Sequence, residues 1–541
     1  MKIRYKASLV VLLILCLLLP AGGHAQTWLW AKAAGDIGTD ASASVTTDPS
    51  GNSYITGNIA GRAAFSGNLY QGSGLYDIFI AKYDAAGNLL WVKLAGGDRN
   101  DQGTCIKWKN GNIYVCGMYE DTALFENTQL ISKGESDAFV AKYNDNGQLQ
   151  WVRPAGGTGL DYAASMDVDN SGNVYIGGTY ERAITVGNNV LTTANFYGES
   201  FYAKLDDNGN YLWAQTTTGN NTNLITGVAY DNHNGLFITG FFGASFKAGA
   251  LTINSVSASY DIFLAKIETS DGSTDWLHRA GSSYEDGAHG VCSDKNGNPT
   301  ITGYFAGTAS FGNNTVSYLD YNDVFVAHYD SAGNNLWARS GNGNKLDVGF
   351  GITTDDNGNV YATGLFQNII NFDGVTLTSP DILDRDIFVI SYSPDGNIRW
   401  LAEAGGEDTD CGLGIALAGN NQIVVSGYYL HTCSFGNVDI DYADAADIFL
   451  AKLQQPVTGI AETETLFATL GPTPCTNSTV LTIPENTSGS YILYDITGRV
   501  AATGYLSGSN TKIETSNLQI GVYTLRVISG GRKQTLKLVK N

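Results

Sequence analysis

Between residues 27 and 454 the apolar positions come in short runs, some alternating with polar residues and some apolar throughout, and clusters of Asp, Asn and Gly interrupt them. No segment of this region keeps an apolar period near 3.6, so the pattern predicts strands rather than helices. Residues 163–216 show the arrangement: 163–169 small and alternating, 173–180 rich in β-formers, 200–206 centred on Phe201, and 211–216 carrying Trp213. Asp169-Asn-Ser-Gly172-Asn173 joins the first two and Asp206-Asp-Asn-Gly209-Asn210 the last two. Both predict tight hairpins, because Asp opens a type I turn and Gly takes the left-handed position beside a bulge. The connection from second to third strand is longer and carries a Phe-Gly-Asn echo, as at Phe311-Gly-Asn313 and Phe435-Gly-Asn437.

This unit recurs. Its phenylalanine falls at Phe79, Phe139, Phe201, Phe263, Phe325, Phe388 and Phe449, in steps of 60 to 63 residues. Trp30, Trp91, Trp151, Trp213, Trp276, Trp337 and Trp400 keep the same period, as do Gly57, Gly117, Gly178, Gly240, Gly303, Gly364 and Gly427. A further series, Asp40, Asp101, Asp161, Asn223, Asp286, Asp347 and Asp410, follows each Trp strand. A fixed period means one supersecondary unit copied and packed against itself. One four-stranded sheet exposes two apolar faces, and copies arranged radially bury them. The expectation is an all-β fold: a seven-bladed β-propeller of four-stranded antiparallel blades, about 62 residues each, over 26–456. The chain opens on a lone Trp strand at 27–33, and the last Phe strand, 447–453, has no Trp strand after it. The first strand is therefore expected to complete the last blade. The repeated Trp and the aromatic two places after the glycine, such as Tyr119 and Phe242, read as inter-blade packing.

The two ends differ from the middle. Residues 1–25 read as a signal peptide: Lys2, Arg4 and Lys6, then an apolar run, then Gly23-His-Ala25. A linker spans 457–470, and 471–541 alternates with Gly turns as a small β-sandwich. Within it Asp495-Ile-Thr-Gly498-Arg499 and Leu518-Gln-Ile-Gly521-Val-Tyr523 closely resemble the type A C-terminal sorting domain of the type IX secretion system of the Bacteroidetes. That resemblance implies export by the type IX machinery, removal of the tail, and release or attachment at the outer cell surface. The middle, through Asp-x-x-Gly-Asn-x-Tyr-x-Thr-Gly and Asp-x-Phe-x-Ala-Lys-Tyr-Asp, resembles the bacterial β-propeller repeat family abbreviated SBBP, which implies the fold and no common catalytic activity.

Charge narrows the partners. Residues 26–456 carry 21 basic and 47 acidic side chains, a net of −26. Such a surface repels nucleic acid and anionic lipid and attracts cations. Six cysteines lie beyond the signal, where an oxidising destination permits bridges; Cys105 with Cys116 and Cys411 with Cys433 are the expected pairs. The five histidines beyond the signal, His233, His278, His289, His328 and His431, occupy different places in different repeats, without metal-ligand spacing. Ala81-Lys-Tyr-Asp84-Ala-Ala-Gly87-Asn-Leu-Leu-Trp91 resembles the docking motif of quinoprotein propellers, with Asp84 one place out of register and no adjacent cysteine pair; the shared element is blade docking. No catalytic residue is assigned and no cofactor identified. Calcium at Asp40, Asp101, Asp161, Asp286, Asp347 and Asp410 is weighed against loop capping, the reading favoured for a repeated position.

The tight turns share one face of the ring, and the long loops share the other. Variable loops on a rigid base favour binding, and the aromatics there, Phe196, Tyr197, Tyr260, Tyr318, Tyr321 and Tyr442, are the candidate contacts. The expected function is an exported or surface propeller that binds an extracellular glycan or protein through the loop face. Two alternatives stand beside it: a secreted polysaccharide hydrolase or lyase using acidic residues of that face, and a structural adhesion scaffold without a discrete ligand.

Overall fold

Each repeat folds as an antiparallel meander. In the second, Gln102–Lys109 pairs with Asn112–Tyr119, which pairs with Asp137–Asn144, which pairs with Leu149–Gly157. The computed structural model describes residues 26–195, 197–257, 259–441, 445–456, 468–483, 489–495, 499–506, 508–529 and 532–541. Among them every regular element is a strand, and four-stranded antiparallel meanders of this kind recur, most of them extended to six-stranded sheets by a further hairpin. The first strands of successive sheets pack side by side, and Ala41–Thr47 of the first sheet also packs against Cys411–Leu417 of the last, which closes the circuit of a β-propeller. In that last sheet the outermost position is taken by Thr27–Ile37, antiparallel to Asp447–Gln454 with Ala31 opposite Ala451.

The repeated glycine is a packing requirement. The first strand of each sheet carries a register shift, as between Ser42 and Ser44, and the bulged backbone leans onto the second strand. A Cβ on Gly57 would overlap the Ala41 carbonyl oxygen and crowd the Phe79 ring, and the same holds at Gly117 with Gln102 and Phe139. The aromatics two places on, Tyr119, Tyr180, Phe242, Phe305, Phe366 and Tyr429, are all buried, as is Ile59 in the first repeat.

The connection from second to third strand is more ordered than its sequence suggests. It folds into a hairpin, such as Arg62–Phe65 with Asn68–Gln71, whose two-residue tip has positive φ at Ser66 and Gly67, the backbone that matches strand twist. The hairpin docks on the outer strand of the preceding sheet: Ala183–Val186 pairs with Leu149–Gly157, and Ser245–Ala248 with Tyr211–Gly219. The echoed Phe packs back on the signature Phe of its own sheet, at 5.3 Å between ring centroids for Phe65 and Phe79 and 4.9 Å for Phe125 and Phe139. A segment expected as a variable loop thus joins neighbouring sheets.

The described residues from Ala468 onward belong to a second compact unit. Thr469–Gly471, Ser478–Thr482 and Asn510–Glu514 form one sheet, and Val500–Tyr505, Gly489–Tyr494, Gly521–Ser529 and Arg532–Lys540 the other. Leu481, Leu493, Ile513, Leu525 and Leu538 fill the core.

Candidate functional site

On the tight-turn face the repeated polar residues are occupied in joining sheets. Lys82, near the end of a third strand, donates to Asp145 Oδ2 of the next sheet's turn at 2.7 Å and lies 5.0 Å from the Tyr54 ring. Lys142 repeats the contact with Asp207 and Tyr114, and Lys204 donates to the Thr269 carbonyl at 3.0 Å. The tryptophans act beside them: Trp151 Nε1 donates to Asp207 O at 3.0 Å and Trp213 Nε1 to Thr269 O at 3.1 Å. Arg153 and Arg339 donate from Nε to the turn carbonyls of Gly209 and Gly396, while Arg279 pairs with Asp261 at 2.6 Å. None of the three converges on a common centre.

Between the first strands, on this same face, lies a cavity of about 340 Å³ lined by Thr46, Thr47, Lys107, Lys109, Asp167 and Tyr230 among others. A smaller one of about 160 Å³ shares Val45 and Lys107 with it and reaches Cys105, His289 and Phe350. Burial holds the His289 imidazole down to about 4, so it is neutral. No group of three or more His, Cys, Asp or Glu suited to hold a metal ion occurs among the described residues.

The loop face closes the same interfaces with carboxyls. Asp101 is fully buried; its Oδ2 accepts the Gly97 N–H at 2.7 Å and its Oδ1 the Glu120 N–H at 3.1 Å. Asp40, Asp161 and Asp286 cap the equivalent loops through Ala60, Gly157 and Ser282. Beside each stands the acid that opens the preceding third strand: Asp77 by Asp101, Asp137 by Asp161, Asp261 by Asp286, Asp323 by Asp347 and Asp386 by Asp410. The pair leaves no room for a side chain on the adjoining outer strand, where a Cβ on Gly96 would meet Asp77 and Asp101 oxygens. Burial drives Asp101 up to about 7, against its two N–H donors and with the Asp77 charge adding to the rise. Asp40, Asp161 and Asp286 also reach about 7, Asp410 about 8 and Asp347 about 9, each mainly through burial. One junction differs: Asn223 Nδ2 donates to Glu199 Oε2 at 2.8 Å, and Glu199 takes over the Gly219 N–H at 2.9 Å. An amide there replaces a carboxyl and donates to the neighbouring acid, which removes the like-charge repulsion of the other junctions. These acids are buried caps, out of reach of a polysaccharide.

Of the six candidate aromatics, Phe196 and Tyr442 lie outside the described residues. Tyr260 is half-buried, its ring 5.6 Å from Phe241. Tyr197, Tyr318 and Tyr321 are open, at 58%, 42% and 60% exposure. Tyr321 has φ of 53°, a backbone that bulky residues rarely adopt, and the Lys345 ammonium stands 5.2 Å from its ring. The sequence reading missed Tyr284, Leu319, Ile382 and Leu383, which are exposed. Tyr284 lies over Gly307, Asn368 links to Asn344 at 3.0 Å, and Gln367 donates to Leu383 O at 3.2 Å. These contacts tie the Tyr284 loop to the one after Phe305, and the loop of Lys345, whose ammonium faces Tyr321, to the loop that carries Leu383.

All six described cysteines are free thiols. Cys105 stands opposite Cys116. Cys411 packs with Val348 and Leu365 and stands opposite Tyr428, and Cys433 packs with Trp28 and Phe435.

In the second unit Arg499 N donates to Asp495 Oδ1 at 3.0 Å, closing the turn whose Gly498 lies outside the described residues. Gly521 opens a strand, and Tyr523, buried in the core, donates to Gln519 O at 2.8 Å. Residues 470–541 match the family model of the secretion system C-terminal sorting domain. The chain therefore carries a type IX sorting module, which directs secretion and attachment to the cell surface. No helix among the described residues is long and apolar enough to cross a membrane.

Similarity elsewhere is distant. An uncharacterized WD repeat-containing protein, L264 of Acanthamoeba polyphaga mimivirus, is 23% identical over 500 residues, 74% of this chain and 36% of that protein. The regulatory protein FlaEY of Caulobacter vibrioides is 26% identical over 141 residues, 24% of this chain and 15% of its own length. The chain thus spans well under half of either relative. Among solved structures, PorZ, described as an essential surface component of the type IX secretion system of Porphyromonas gingivalis, is 12% identical, covering 92% of this chain and 81% of PorZ at a TM-score of 0.24. A europium-containing methanol dehydrogenase is 11% identical, covering 78% and 93%, at 0.38. At these values neither assigns an activity or a ligand.

Proposed function

We propose that this chain is an exported, seven-bladed, SBBP-like propeller that binds a neutral extracellular glycan through the loop-face sector bearing Tyr284, Tyr318 and Tyr321. The observation that carries the reading is Tyr321: an exposed ring on a left-handed backbone, beside a lysine and among other open apolar side chains. Backbone of that kind costs free energy and concentrates at binding sites. Tyrosine offers a flat apolar face with a polar tip, which suits the C–H face and hydroxyls of a sugar. Asp320, Asp381 and Asp384 rim the sector and would repel an anionic polymer, which favours a neutral one. The buried acid pairs supply no open general acid and base, so binding is preferred to hydrolysis as the role of this face. Purified protein on an array of neutral and anionic glycans tests the proposal. Saturable binding to a neutral class, weakened at least about tenfold (about 1.4 kcal/mol) by Tyr321→Ala, is expected; an array on which only anionic glycans bind, or on which none does, contradicts it and directs the search to a protein partner.

A further inference from the structure

We infer that Cys105 and Cys116 are a modification site, closing as a cross-strand disulfide once the chain has left the reducing cytoplasm. The two residues stand directly opposite in the pairing of Gln102–Lys109 with Asn112–Tyr119, immediately after the register shift at Gly103. Residues opposite one another in an antiparallel pair point to the same face, and both side chains lie in one core cluster with Tyr114, Met166 and Phe201. The remaining cysteines lack such a partner. Cys292 faces Thr300, Cys411 faces Tyr428 and Cys433 faces Ile440 across their strands, and Cys475 lies in the other unit beside Thr515.

The pair is also reachable and activated. Cys116 is fully buried, but Cys105 forms part of the wall of the smaller central cavity, with Lys107 two residues along the same strand. Hydrogen bonding from the Cys116 thiol, with help from the Lys107 ammonium, holds the Cys105 thiol below its ordinary range against the effect of burial, while burial holds the Cys116 thiol well above it. Thiolate is the nucleophile in exchange. A small disulfide oxidant entering the cavity is attacked by Cys105 Sγ, which forms a mixed disulfide and expels one thiol. Cys116, losing its proton, then attacks Cys105 Sγ and expels the second thiol. Two protein thiols and one oxidant disulfide become one protein disulfide and two small thiols. The bond ties the inner strand that carries Lys107 and Lys109 to its neighbour beside the register shift.

The test uses the whole chain and 2-hydroxyethyl disulfide, small enough for the cavity, as the probe. After oxidation, the protein is unfolded without reductant, alkylated, digested and weighed by mass spectrometry. Four of the six cysteines at 105, 116, 292, 411, 433 and 475 should alkylate, and one cross-linked species, resolved by dithiothreitol, should contain Cys105 and Cys116. Alkylation of all six, or a cross-link joining any other pair, overturns the inference. The wild-type chain carries the test, so the folding of a variant does not enter it; Cys105→Ser serves only to confirm that the cross-linked species disappears.

Discussion

On the tight-turn face a cation joins neighbouring sheets, Lys82 to Asp145 or Lys142 to Asp207, whereas on the loop face the same interfaces rest on two carboxyls, Asp77 beside Asp101 or Asp386 beside Asp410. The comparison shows how a repeat protein joins its sheets by different chemistry on its two faces. Every repeated polar position on either face is engaged by a neighbouring sheet or by the backbone of its own loop. The unrepeated sequence between the anchors carries exposed side chains, among them Tyr284, Tyr318, Tyr321 and Leu383 in loops flanking the fifth and sixth sheets.

The largest effect should come from the packing common to both faces. Trp213→Ala removes a buried indole and its bond to Thr269, and should cost about 3–5 kcal/mol in denaturant unfolding. Lys142→Met tests the cation side: Asp207 is half-exposed and can rehydrate, so the expected loss is about 1–2 kcal/mol, with little change in the response to alkaline pH.

The two faces should respond oppositely to pH. Asp84, held low first by the Asn88 side chain, belongs to the tight turns; its contribution is present above the ordinary carboxyl range and fades as pH falls through its depressed value. The loop-face acids have folded values raised to about 7 to 9. Their contribution is complete below about pH 4 and is lost as pH rises through that window. The melting temperature should therefore decline from pH 5 to 9. Asp77→Glu combined with Asp101→Asn transplants the Glu199–Asn223 junction, and should make this decline measurably shallower, by the share of one junction, while changing stability at pH 5 by no more than about 1 kcal/mol. A decline of unchanged slope in the double variant would separate the carboxyl pairs from the pH response. Removing calcium with EDTA should shift melting least of all, because each ring carboxyl already accepts at least one backbone N–H.

The period, the Phe and Trp positions and the tight turns were legible in the sequence because each repeat states them again. The pairing of Asp77 with Asp101 was not, since the two acids belong to different loops and meet only when successive sheets pack. The hairpin nature of the second-to-third connection was half-legible: Phe-Gly-Asn marks its turn, but nothing local says that its partner is the preceding sheet. Tyr318 and Tyr321 were found as unrepeated aromatics on the loop face; Tyr284 and Leu383 sit in other loops, and their nearness appears only through Gly307 and Gln367.

The most direct measurement compares Tyr321→Ala on the loop face with Lys109→Ala on the tight-turn face in a titration of the glycan that binds wild type. Both side chains lie outside the sheet-joining contacts, so each variant should unfold within about 0.5 kcal/mol of wild type. Loss of affinity by about tenfold or more (about 1.4 kcal/mol) in Tyr321→Ala alone is the predicted result; equal affinity in Tyr321→Ala and wild type, or a loss confined to Lys109→Ala, would contradict recognition by the loop face.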